Sequence, residues 1–182
     1  MQREQQEELW RLTEEARKVL DAAVELSGDH QRVFSFWRLP AFHNPTRTTL
    51  YAPGNRRESK QPFFTVTTWR RDVDQDKLRD PIERLRHPRI LAPTMEEFRV
   101  EVSPEVVAGF VTALSEIALP VLRPDEGLLG TDGIDFRFSF SQGFYALDLK
   151  WWGDGPRCWL AATERIVDLV EGLEALGRRS EV

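Results

Sequence analysis

Three histidines, one cysteine and an acidic triplet are the residues of this chain that could do chemistry. His30, His43 and His87 each lack a second His or Cys two to five residues away, the spacing a zinc site uses. The sequence therefore points to no metal and no cofactor. A hydrolytic site would need His43 or His87 to meet a carboxylate through folding alone. Cys158 stands near a helix start, where the dipole would lower a thiol pKa, but Arg157 and Trp159 flank it and an apolar helix follows, so it reads as packing. Asp72-Val73-Asp74-Gln75-Asp76, with Glu83 at the twelfth position, imitates half a calcium loop. Lys77 stands where that loop needs glycine and Pro81 falls inside it, so the segment reads as a solvated acidic turn. The chain has no glycine-rich phosphate loop, no Gly-x-Ser-x-Gly elbow and no His-Glu-x-x-His helix. A role without catalysis is the first reading.

Binding chemistry is better represented, because charge divides along the chain. The net charge of −5 resolves into −4 over residues 1–30, +7 over 31–92 and −8 over 93–182. Arg56, Arg57, Lys60, Arg70, Arg71, Arg84 and Arg86 interleave with Phe63, Phe64 and Trp69, as in a surface that pairs cations with stacking aromatics for nucleic acid. Against that alternative stand a pI of about 5.4 and the core-like alternation of Phe64 and Val66. The simpler expectation is that the basic middle neutralises the acidic flanks within the fold.

The elements that must position these residues are readable from periodicity. Gln2 to Ser27 lack Gly and Pro, and Leu9, Leu12, Ala16, Val19, Ala23 and Leu26 recur at helical steps before Gly28. That helix packs on a sheet or receives a partner. Val33–Leu39, Thr46–Tyr51 and Phe63–Arg71 read as strands bounded by prolines. A turn or two of helix falls within Asp76–Arg86, and a short strand follows over Phe98–Val102. Ser103-Pro104-Glu105 opens a helix running to about Ala118, whose Gly109 suggests backbone packed closely on the sheet. Ile134, Phe136, Phe138 and Phe140 share one face of a strand; Tyr145, Leu147, Leu149 and Trp151 share one face of the next, and an antiparallel hairpin joins the two. A last helix, about Arg157 to Leu176, carries Trp159, Ala162, Ile166, Val170 and Leu173 on one side and ends at Gly177. The expectation is one α+β domain over 1–182, divided as an N-terminal helix (1–28), strands (32–71), a charged connection (72–94) and a strand-helix-hairpin-helix unit (95–176). Its mainly antiparallel sheet of five or six strands is covered on one face by the N-terminal, central and C-terminal helices. A lone cysteine, an unapolar start and the lack of an apolar run of membrane length make the chain a cytoplasmic protein in expectation.

The unit Asp132-Gly133, strand, turn, strand, Trp151-Trp152-Gly153, Pro156 and Trp159 before a Leu/Val-rich helix resembles small uncharacterised bacterial α+β proteins. In size and make-up these are similar to immunity and other defence-associated proteins. The resemblance covers about residues 95–176, implies a protein partner rather than an activity, and carries no catalytic residue. With it, the expected function is a protein-binding module: an immunity-type inhibitor or a subunit of a bacterial complex, whose acidic flanks suit a basic partner. The exposed sheet face would supply Trp152, Asp148, Trp69 and Trp37 as anchors.

Overall fold

The computed structural model describes residues 2–22, 30–41, 43–54, 60–80, 82, 92–118, 133–142 and 145–179. Helix α1 spans Gln2–Asp21 and is followed by strands β1 (His30–Pro40), β2 (Thr46–Pro53) and β3 (Phe63–Trp69). Then come α2 (Arg71–Arg79), β4 (Met95–Glu101), α3 (Pro104–Ser115), β5 (Ile134–Gln142) and β6 (Tyr145–Trp152). A 3-10 turn at Arg157–Trp159 leads into α4 (Leu160–Arg179). The fold is α+β, with one six-stranded, wholly antiparallel sheet in the order β4-β3-β2-β1-β5-β6. No helix among the described residues is long and apolar enough to cross a membrane.

Strand alternation sorts side chains between two faces, and each face takes its own helices. Phe34, Phe36, Leu50, Phe64, Phe138, Leu149 and Trp151 form one core with Phe110 of α3 and Ile166, Val170 and Leu173 of α4. The Phe34 and Phe110 rings stack with centroids 4.4 Å apart. A register shift between Arg32 and Phe34 is a bulge at Val33, and Val33 joins the same core. Helix α1 lies on the opposite face, where Leu12 and Ala16 pack on Trp69 and the Leu20 carbonyl accepts from Trp37 Nε1 at 3.1 Å. The helices thus divide between the faces rather than sharing one. The reason is local: Trp37 and Trp69, on the face turned away from Phe36 and Phe64, need cover, and the α1 stripe supplies it.

The expected hairpin is present, and Phe138 at 1 % exposure marks its buried face. Other expectations need adjustment. The charged helix begins earlier than expected, at Arg71, and runs to Arg79, so it overlaps the first part of Asp76–Arg86; residues 81 and 83–86, like Gly28, lie outside the described residues. Gly109 is exposed and a Cβ added there would meet nothing within 4 Å outside its own helix backbone, whereas a Cβ on Gly177 would stand 2.9 Å from Val100 Cγ2 and 3.2 Å from Phe64 Cζ. Close helix-on-sheet approach therefore belongs to Gly177, which lies inside α4 and does not end it.

Candidate functional site

A recess of about 250 Å³ opens on the α1 side of the sheet, walled by Leu20, Leu39, Pro40, Pro45, Trp69 and Trp152. Thr13 and Arg17 of α1, Arg71 at the start of α2 and Asp135 of β5 supply its polar groups. Each arrives by a short-range rule. Arg17 follows Thr13 by one helical turn, so both face the same way. Trp152 lies opposite Asp135 in the β5–β6 ladder, and its indole covers Gly133 closely enough that a Cβ there would be 2.9 Å from Nε1. Arg71 is placed by the chain leaving β3, with its guanidinium 5.8 Å from the Trp69 ring centroid.

Arg71 is the unusual member. It donates from Nη1 to the Ala41 carbonyl, while its Nε is buried and makes no hydrogen bond. Burial, and after it the charge of Arg17, lowers its pKa. Among the described residues no carboxylate pairs with it, whereas Arg38 meets Glu171 and Glu174, Arg70 meets Asp72 and Glu96, and Arg137 meets Asp21. Arg17 and Arg71 outnumber Asp135 among the lining groups, and Arg17 is already held by Glu14 at 3.4 Å. The half-buried Arg71, with no carboxylate of its own among the described residues, favours an anion, and a carboxylate or phosphate would accept from its guanidinium fork.

A second recess of about 250 Å³ lies on the other face, lined by Arg38, Thr46, Val66, Thr68, Phe98 and Glu174. There the charges satisfy each other. Glu174, 5 % exposed, accepts from the Thr48 hydroxyl and from Arg38 Nη1 at 3.3 Å, as a structural ion pair does.

The residues expected as partner anchors separate. Trp152 is half-buried at the recess and Asp148 is exposed on β6. Trp37 and Trp69 are core residues: their exposures are 6 % and 1 %, and their indole N–H groups are spent on the Leu20 carbonyl and on Asp74 Oδ2 at 2.8 Å. Of the basic set, Arg56, Arg57, Arg84 and Arg86 lie outside the described residues and Lys60 is exposed. Arg70 is neutralised by Asp72 and Glu96, and of the described members Arg71 alone enters the recess. Arg38 and Arg70 also join the basic middle of the chain to acidic residues of the segment 93–182, the pairing expected of mutually neutralising segments. His30 Nε2 bonds with the Gln61 carbonyl at 3.2 Å and its ring meets Phe63 edge-on; His43 is exposed, and His87 is outside the described residues. Cys158 is half-buried. Sequence reading missed Arg17 and Asp135, because nothing in their spacing shows that α1 crosses the start of β5.

Comparison with protein families, with curated proteins and with solved structures gives no match, so the functional reading rests on this chain's own residues.

Proposed function

We propose that this is a non-enzymatic protein-binding module whose recess at Arg17, Arg71 and Trp152 receives a carboxylate-bearing side chain or chain end of a protein partner. The observation that carries the reading is Arg71, a half-buried guanidinium with an unused donor and no carboxylate of its own among the described residues. Trp152 and Trp69 give the site the apolar, aromatic wall that anchors a partner's side chain, and about 250 Å³ suits one side chain better than a large ligand. The acidic flanks had suggested a basic partner, but at this recess the local charge is cationic, so an acidic segment fits. An immunity-type inhibitor or a subunit of a bacterial complex, working in the cytoplasm, would use such a surface.

The test is a two-dimensional NMR titration with a short extended peptide carrying Glu, beside its Gln counterpart. Shifts centred on Arg71 and Trp152 with the Glu peptide alone, and their loss in Arg71→Gln, are expected. Equal response to both peptides, or none, ends the reading. Binding to short oligonucleotides that weakens steeply with salt would favour the nucleic-acid alternative instead.

A further inference from the structure

β4 and β6 are the two edges of the sheet. An edge strand presents unpaired N–H and C=O groups, and proteins blunt such edges with charge. The two edges are blunted unequally. On β4, Glu96, Glu97 and Glu101 outweigh Arg99 and leave a net charge of −2. Its side chains are also committed: Arg70 holds Glu96, Thr67 holds Glu97, and Arg99 lies 3.5 Å over the Phe63 ring. On β6, Asp148 and Lys150 cancel, both are exposed, and neither forms a side-chain ion pair or hydrogen bond among the described residues.

The backbone phase of β6 is fixed by its neighbour. Gly153 N–H donates to the Ile134 carbonyl at 2.9 Å, continuing the β5–β6 register. Hydrogen-bonded and non-bonded pairs alternate in an antiparallel ladder, so Leu147, Leu149 and Trp151 turn their backbone groups toward β5. Ala146, Asp148 and Lys150 turn theirs outward. The Trp152 carbonyl accepts from Gly155 N–H at 2.9 Å, which closes the open edge just beyond Lys150.

A second copy can meet this edge antiparallel about a two-fold axis, and charge selects the register. Centring the axis on Asp148 or on Lys150 opposes two like charges directly. Centring it on Leu149 places Asp148 opposite Lys150 of the partner subunit, and by symmetry Lys150 opposite Asp148 of the partner subunit. Both pairs use outward-facing backbone, so hydrogen bonds and charges are satisfied in the same register. Leu147, 36 % exposed, then lies opposite Trp151 of the partner subunit.

We propose that the β6 edge is a homodimer interface, in which two copies pair β6 with β6 about a two-fold axis at Leu149 and merge their sheets into one. The interface is isologous and closed, so assembly stops at two copies.

Sedimentation over a wide concentration range tests this, with circular dichroism as the check on folding. The wild type is expected to be a concentration-dependent dimer. Lys150→Asp sets carboxylates against each other twice and should weaken dimerisation about tenfold or more. Asp148→Lys combined with Lys150→Asp recreates the opposite-charge pairs and should restore it. A wild type that stays monomeric, a dimer untouched by Lys150→Asp, or a double variant that remains apart would overturn the proposal. A dimer broken by Arg99→Glu instead would assign the interface to β4 and overturn it equally.

Discussion

Asp74 and Asp72 stand two residues apart on α2 and do opposite kinds of work. Asp74 is fully buried, and its carboxylate accepts from Trp69 Nε1 at 2.8 Å, from Thr94 N–H at 2.9 Å and from the Thr94 hydroxyl at 2.5 Å. It ties the end of β3 to the segment entering β4. Replacing one partner of a buried charged network leaves donors unsatisfied, so Asp74→Asn should cost about 2–4 kcal/mol in denaturant unfolding. Asp72 is exposed, and the Arg70 guanidinium holds its carboxyl down from 3.8 to about 2. A carboxyl depressed in the folded state adds stability that is present above its unfolded pKa and lost as pH falls through the folded one. The thermal midpoint of the wild type should therefore fall between about pH 4 and pH 2 by more than that of Asp72→Asn. Equal slopes in the two proteins would remove Asp72 from the account.

The glycines of α3 and α4 make a matched test at the scale of an element. A helical glycine costs about 1 kcal/mol against alanine where nothing else constrains it. Gly109 is such a case, with no atom within 4 Å of an added Cβ, so Gly109→Ala should raise stability by up to about 1 kcal/mol. Gly177 is the reverse: a new methyl would press on Val100 and Phe64, both part of the packing beneath α4. Overpacking of this kind costs about 1–3 kcal/mol, more than the gain in helix propensity, so Gly177→Ala should lower the unfolding midpoint. Sequence reading found both helices and their apolar stripes but placed the close approach at Gly109, where it belongs to Gly177, and ended α4 at Gly177, which lies inside it. Periodicity shows which way a side chain points; how near the backbone behind it comes to a sheet is set by strands far away in the chain.

At the scale of the whole molecule, β1 joins the meander of β2, β3 and β4 to the β5–β6 hairpin, and helices cover it from both faces. Local opening runs from exposed edges toward such buried centres. Amide exchange should accordingly be slowest in Phe34–Trp37 and Thr48–Leu50, and faster at the outward amides of Asp148, Lys150, Glu97 and Arg99. Slow exchange at Asp148 and Lys150 that appears only at high protein concentration would match pairing of β6 between copies.

The sequence by itself determined the elements. The alternation of Phe136, Phe138 and Phe140, the helical recurrence of Ile166, Val170 and Leu173, and Pro104 at a helix start each act within a few residues, where local sterics and burial pattern decide. The division of charge along the chain also raised the expectation that the basic middle would meet acidic residues of 93–182, and Arg38 with Glu171 and Glu174 and Arg70 with Glu96 are such pairs. Tertiary structure alone decided the face on which α1 lies, and with it the burial of Trp37 and Trp69 and the meeting of Arg17 with Arg71. Those contacts join residues tens of positions apart. The energy that selects them comes from the surface left uncovered once the sheet has formed, which no local pattern in the chain encodes.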